Sequence, residues 1–336
     1  MAETVLVTGA SGFIAKHVVL ALLNAGHTVR GTVRRLDRGG EVRIAVDPHL
    51  KDSSAIRRLE FVAADLESDR GWAQAMVGVT AVLHTASPFP IAEPRDPQVV
   101  IRPAVDGTRR VLTAAADAGV RRVVLTSSTV AVLDRRRGRV ETEEDWADPK
   151  APGASPYAQS KVLAERAAWE IAGARGLMLT TINPGFVLGP PLDRNFGSSI
   201  GLVRRMMAGK DPMVPAIGFP MVDVRDVAVM HLRALENPAT AGKRYIAAAG
   251  SMWMAEMGAV LKAAYPGRRI ATRVAPALAM RAMALFDREI RSVLPLLGHI
   301  EQVSNARAVA EMGMDFIPPE AALKASADWL VRHGIL

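Results

Sequence analysis

The 336-residue chain predicts a doubly wound α/β fold, a parallel sheet with helices on both faces, followed by a smaller, mostly helical lobe. Three observations carry that expectation. Short apolar runs alternate with helix-length stretches through the first half of the chain. The runs are nearly continuous in apolar character, as strands covered on both faces are. A glycine-rich turn joins the first run to the first helix. Strands are expected at 4–8 (TVLVT), 28–33, 59–63, 79–83, 120–126 and 177–182. Helices are expected from Phe13 to Ala25, from Pro97 to Ala118 and from Tyr157 to Ala174, with stops at Gly26, Gly119 and Gly176. Strands separated by helices pair in parallel through right-handed crossovers. Ligands of such a sheet lie beyond the carboxyl ends of its strands, where the strand order reverses.

After Pro184 the pattern changes. Residues 184–221 are rich in Pro, Gly and Met, with one helix expected near 199–208, and the helices after 250 are amphipathic. Residues 1–184 therefore read as a nucleotide-binding domain to which 222–248 return. Residues 185–221 and 249–336 read as a substrate-binding lobe.

At 49% hydrophobic and 23% charged, the composition is that of a globular protein and excludes a disordered chain. Lys plus Arg exceed Asp plus Glu by 42 − 34 = 8. Arginine clusters at 34–35, 57–58, 121–122 and 135–137, with no interleaved aromatics. That pattern reads as solvated surface and not as a nucleic-acid interface. There are no cysteines, which excludes disulfides and thiolate zinc and points to a reducing, cytoplasmic setting. The start, Met1-Ala2-Glu3-Thr4, has no basic region or cleavage site. The most apolar later stretch, 275–298, is broken by Arg281, Asp287, Arg288, Glu289 and Arg291, so no membrane span is expected. No cluster of His, Asp and Glu has metal-ligand spacing, and no metal is expected. The chain is expected to act as a monomer or homodimer.

Residues 8–15 read Thr8-Gly9-Ala10-Ser11-Gly12-Phe13-Ile14-Ala15. Gly9 permits a tight exit from the strand. Gly12 lets backbone approach a pyrophosphate, and the helix opening at Phe13 and Ile14 offers N–H groups and a partial positive charge. Ala15 stands where a third glycine is usual, a position that serves helix–strand packing. The second strand runs into Arg34 and Arg35. A dinucleotide site selective for NAD places an acid there, whereas an arginine holds a 2′-phosphate. Arg34 is the first candidate and Arg35 the second, and the expected cofactor is NADP (NADPH). Asp65 and Leu66, after the third strand, suit the adenine edge. A glycine turn in this context makes the fold Rossmann-type.

Tyr157 and Lys161 lie four apart and share one helix face. A phenol ionises near 10, too high for efficient proton transfer at neutral pH, and an adjacent ammonium is expected to lower it. Tyr157 then serves as a general acid toward a carbonyl oxygen, and Lys161 also reaches the nicotinamide ribose. Upstream, the fifth strand ends in Thr126-Ser127-Ser128-Thr129, where a serine hydroxyl can polarise the same oxygen. His84 reads as a structural histidine at a strand end, and His17 and His27 as surface residues.

In these segments the chain resembles the extended short-chain dehydrogenase/reductases, and among them the dihydroflavonol reductase-like branch of aldehyde and ketone reductases. The resemblance covers VTGASGFIA at 7–15, TVRR at 32–35, AADL at 63–66, HTASP at 84–88, LTSST at 125–129, YAQSK at 157–161, INPGFVLGP at 182–190 and VDVRDVA at 222–228. It implies an NADPH-dependent reductase of small carbonyl compounds with Ser128, Tyr157 and Lys161 as its triad. Ser128 is preferred to Ser127 because the family's serine is the last of the run. The resemblance implies cofactor contacts from Thr85, Ala86, Ser87 and Thr126, and from Pro184 and Val187 against the nicotinamide. Leu133 stands where plant flavonoid reductases carry an asparagine, so a flavonoid substrate is not expected. Phe89, Phe186, Phe196 and Phe219 are expected to wall the pocket with Leu133. The same triad would serve a nucleotide-sugar epimerase or dehydratase, against which Arg34 and INPGFVLGP weigh. A non-catalytic NADP-binding regulator needs only the glycine turn, against which the triad weighs.

Overall fold

The computed structural model describes residues 2–88 and 96–336. From the N-terminus the elements are β1 (Thr4–Thr8), α1 (Phe13–Asn24), β2 (Thr28–Val33), α2 (Arg38–Val46), β3 (Leu59–Ala63), α3 (Trp72–Met76) and β4 (Ala81–His84). They continue with α4 (Gln98–Asp117), β5 (Arg122–Thr126), α5 (Pro156–Arg175) and β6 (Met178–Pro184). Among the described residues seven strands form a sheet in the order β3-β2-β1-β4-β5-β6-β9, where β9 is Lys243–Ala247. Every pairing in it is parallel. The order reverses between β1 and β4, which opens a crevice at their carboxyl ends. The fourth strand begins two residues later than its apolar run, because Thr80 is spent on the approach, its N–H donating to the Thr4 carbonyl at 2.9 Å.

The chain then forms β7 (Phe186–Leu188), α6 (Ser198–Met207), β8 (Ile217–Asp223) and α7 (Val224–Glu236). After β9 come β10 (Gly250–Trp253), α8 (Met254–Ala264), α9 (Ala277–Met283), α10 (Arg288–Val293), β11 (His299–Ile300), α11 (Ala306–Met312) and α12 (Pro319–Arg332). The helices around the lobe enclose a second, small sheet centred on β8, with β10 antiparallel and β7 and β11 parallel to it.

Burial explains the layering. Val18, Val19, Leu22 and Leu23 of α1 pack with Val5 and Val7 of β1 and with Val227, Met230 and Ala234 of α7 on one face of the large sheet. Leu6, Val82 and Val123 face the other side, against Val111, Leu112 and Ala115 of α4 and Ala168 of α5. Met206, Met221, Met252, Met257, Leu323 and Leu330 form the core of the lobe. Ser155 caps α5, its hydroxyl accepting from the Ala158 N–H, and Gly176 ends that helix in the left-handed region. Among the described residues no helix is long and apolar enough to cross a membrane, and no group of three or more acidic or histidine side chains is placed to hold a metal.

Candidate active site

The glycine turn sits at the crevice. Gly9 has φ of +63°, and a Cβ there would lie 2.9 Å from that of Ala86, so only glycine lets β1 turn this close to the β4 exit. The Ala10 N–H donates to the Thr32 carbonyl and the Gly12 N–H to that of Gly9, both at 2.9 Å. Helix α1 has no side chain capping its N-terminus, which opens at Gly12 beside Phe13. Ala15 is buried in the sheet core. The β4 exit is bound to the same turn: the Thr85 hydroxyl donates to the Thr8 carbonyl at 2.6 Å, and the Ala86 N–H donates to the Thr8 hydroxyl at 3.0 Å. Ser87 follows, partly buried. A glycine cradle beside an uncapped helix N-terminus is the donor set that a pyrophosphate requires. The residues present therefore fit a dinucleotide.

At the end of β2 the two arginines differ. Arg35 is held by Asp37, with Nη2–Oδ2 at 2.8 Å. Arg34 is exposed and has no hydrogen bond or ion pair among the described residues. Arg38, the first residue of α2, pairs with Glu41 at 2.8 Å, and its charge acts on Lys16 of α1, which places it toward the glycine turn. Asp65 accepts from the Glu67 N–H at 3.1 Å, and Leu66 packs against Gly107 of α4.

Three elements converge on the chemistry-bearing groups. Ser128 follows β5, with its hydroxyl in long contacts of 3.5 Å to the Pro184 carbonyl and 3.4 Å from the Val130 N–H. The Tyr157 hydroxyl on α5 is hydrogen-bonded to Ser128. The Lys161 ammonium lies 5.7 Å from the centre of the Tyr157 ring. His84, at the end of β4, is close enough to Lys161 to feel its charge. Its Nδ1 is 2.7 Å from the Thr8 hydroxyl, which ties the end of β4 to the end of β1.

The expected acidification of Tyr157 is not what the geometry produces. Burial pushes its phenol up to about 12, opposed by the Ser128 hydrogen bond, and the Lys161 ammonium is not among the causes. Lys161 is itself drawn down to about 8 by burial, against the opposing pull of Glu165. Spacing on a helix places an ammonium near a phenol, but the cost of burying a phenolate outweighs that attraction. A phenol with a raised pKa is protonated at neutral pH, as a proton donor is, but it is a weaker acid than free tyrosine.

Of the expected walls, Phe186 and Phe219 stack with ring centres 5.3 Å apart, while Phe196 meets Trp329 edge-on at 5.9 Å within the lobe core. Phe13 also belongs to that core. Leu133 is partly buried one turn past Ser128, its N–H bound to the Thr129 carbonyl at 2.9 Å. Pro184 ends β6, and Val187 of β7 pairs with Val222 of β8. Thr126 spends its hydroxyl on His231, 2.6 Å away, so its side chain is turned from the crevice. The Ser127 hydroxyl is bound to Glu165. Phe89 lies outside the described residues.

His17 and His27 are buried, not at the surface. His17 meets the Pro190 carbonyl at 3.0 Å, and His27 Nδ1 accepts from the Glu3 N–H at 3.2 Å. Both partners come from other elements, which helical periodicity does not report. Lys16 was also missed. It is buried and paired with Asp193, and it donates to the Asn195 carbonyl at 3.1 Å. Asn195 in turn donates to the Ser11 carbonyl at 2.8 Å, so the loop after β7 is clamped onto the glycine turn.

Known proteins resemble the chain over most of its length. Residues 5–248 match the model of the NAD dependent epimerase/dehydratase family. The chain is 37% identical over 280 residues to cinnamoyl-CoA reductase 1 of Arabidopsis thaliana, covering 81% of this chain and 77% of that protein. It is 35% identical over 272 residues to dihydroflavonol 4-reductase of Zea mays, covering 78% and 74%. Among solved structures, yeast methylglyoxal/isovaleraldehyde reductase Gre2 complexed with NADPH matches with a TM-score of 0.81 at 26% identity, covering 99% of this chain and all of that one. Vestitone reductase from alfalfa matches with a TM-score of 0.78 at 28% identity, covering 99% and 100%. The chain belongs to the NAD dependent epimerase/dehydratase family, the extended short-chain dehydrogenase/reductases, and to its dihydroflavonol reductase-like branch.

Proposed function

We propose that the protein is an NADPH-dependent reductase of aldehydes or prochiral ketones, with Tyr157 as the proton donor. The observation that carries the reading is the convergence of Ser128, Tyr157 and Lys161 beside the glycine turn. Relatives named as reductases support it, and the absence of cysteine supports a reducing, cytoplasmic setting.

Gly9, Ser11, Gly12, Phe13 and Ile14 would hold the pyrophosphate, Arg34 the 2′-phosphate, and Asp65 with Leu66 the adenine edge. Thr85, Ala86, Ser87 and Lys161 would hold the nicotinamide ribose, with Pro184 and Val187 against the ring. When bound, the dinucleotide supplies the hydride that the carbonyl carbon accepts. The Ser128 hydroxyl, held by Tyr157 and in a long contact of 3.5 Å with the Pro184 carbonyl, would donate a hydrogen bond to the carbonyl oxygen. Tyr157 gives that oxygen its proton, and the Lys161 ammonium stabilises the phenolate left behind. The Phe186–Phe219 stack and Leu133 favour an apolar carbonyl compound, in keeping with the flat faces that aryl groups present.

Replacing Tyr157→Phe removes the proton and keeps the ring. NADPH binding, read by fluorescence, is expected to persist while carbonyl reduction falls by a factor on the order of 10³. Unchanged reduction in that variant overturns the mechanism. A panel of aldehydes, aryl ketones, keto esters, cinnamoyl thioesters and flavonoids, run with NADPH and NADH, identifies the substrate class.

A further inference from the structure

We propose that Glu165 is a positioning residue of this site, its buried carboxylate tying the Ser128 end of β5 to the helix that carries Tyr157 and Lys161. The inference rests on the reductase reading above. Glu165 follows Tyr157 by eight residues and Lys161 by four on α5, so all three share one helix face. It is 1% exposed. One carboxylate oxygen accepts from the Ser127 hydroxyl and, at 2.8 Å, from the Asn183 amide. The other accepts from Arg244 Nε at 2.7 Å, from the Thr181 hydroxyl at 3.1 Å and from the Trp169 indole at 3.4 Å. Asn183 also donates to the Ser128 carbonyl at 3.2 Å. Four elements thus meet on one carboxylate: α5, the β5 exit, β6 and β9.

Arg244 is equally committed. Its guanidinium lies 3.9 Å above the Trp146 ring and donates to the Glu143 carbonyl at 2.8 Å. A buried ion pair of this kind is poor evidence of stability, because apolar replacements of similar volume are often neutral or better. Its value here lies in geometry. A misplacement of about 1 Å in a catalytic group costs roughly 10²-fold in rate, and this network fixes both sides of the Ser128–Tyr157 contact. Charge gives it a second effect. The groups facing Lys161 are Tyr157 and Glu165 on its own helix and His84 from β4, with Arg244 of β9 behind Glu165. Glu165 is the anion among them that favours the Lys161 ammonium.

The test uses steady-state reduction with NADPH across pH. Glu165→Gln is expected to lower kcat about 100-fold with NADPH affinity within about threefold. It is also expected to move the alkaline limb of the kcat profile down by about one pH unit, since Lys161 loses the anion that favours its proton. Glu165→Asp keeps the charge and is expected to leave that limb in place. Ser127→Ala leaves the Glu165–Arg244 pair intact, so it folds even where the glutamine variant does not. It is expected to lower kcat about tenfold, a loss in geometry alone. Turnover within about twofold of the parent in Ser127→Ala, or an unmoved limb in a folded Glu165→Gln, overturns the positioning role. Activity surviving Tyr157→Phe instead overturns the reductase mechanism, so the two failures are distinguishable.

Discussion

Helices α1, α4, α5 and α7 run 12 to 20 residues against strands buried along their length, whereas residues 274–300 fold into helices of 7 and 6 residues and a strand of 2. Leu22 and Leu23 of α1 are fully buried, while Leu278, Leu285 and Phe286 are 79%, 70% and 93% exposed. The two regions serve different tasks. The large sheet carries the residues proposed for catalysis and positions them with packed apolar layers and buried hydrogen bonds. The segment at 274–300 contributes little core, so its sequence is constrained less by packing. The contrast predicts its own largest effect. Leu22→Ala is expected to cost about 3 kcal/mol in denaturant unfolding, while Leu278→Ala stays within about 0.5 kcal/mol. Equal losses would mean that the exposed segment is covered in solution.

Buried histidines sharpen the comparison, because all three with strongly depressed pKa values support the large sheet. Burial lowers His17 of α1 to about 4, His84 of β4 to about 3, with Lys161 assisting, and His231 of α7 to about 4, from an ordinary 6.5. Each is neutral in the folded protein. Below 6.5 the unfolded chain takes up protons that the native state refuses, so stability falls as pH falls from about 6.5 toward 4. Asp226 works the other way. Burial pushes it up to about 6, so the native state gains a proton between about 6 and 3.8 and recovers part of the loss. A net loss of about 2 kcal/mol between pH 6.5 and 5.5 is expected from unfolding curves. Hydrogen exchange is expected to show the large sheet losing protection with it, and a flat profile from pH 7 to 5 would exclude the idea.

What the sequence disclosed follows the same division. The bounds of β1, α1, β2 and β3 agree with the apolar runs to within a residue, because strand alternation and glycine stops are local signals. The small sheet was not visible. Its centre, β8, contains Pro220, and its partners β7, β10 and β11 lie far away along the chain in short runs without periodicity. At the site, the spacing of Tyr157 and Lys161 and the position of Ser128 were legible. The rise in the Tyr157 pKa was not, since it comes from burial by other elements. Glu165 shares their helix face in sequence, yet its meaning comes from Arg244, 79 residues away.

Within the well-anchored half, Arg34 at the end of β2 is an exposed cation for which the described residues supply no ion pair. Arg35, its neighbour, has Nε and Nη2 engaged by both oxygens of Asp37. Binding a 2′-phosphate through Arg35 would first break that pair, whereas Arg34 has nothing to give up. A guanidinium–phosphate contact at a solvent-facing site is worth about 2 kcal/mol, which corresponds to roughly 30-fold in affinity. Arg34→Ser is therefore expected to cut the preference for NADPH over NADH by about 30-fold, and Arg35→Ser by less than about threefold, in kcat/KM ratios. A larger loss from Arg35→Ser would show that the Asp37 pair opens on binding and that the phosphate contact belongs to the second arginine. Asp37→Ala made with and without Arg35→Ser separates these outcomes, because a gain in NADPH preference that vanishes with Arg35 belongs to that guanidinium, and one that persists belongs to the lost Asp37 charge.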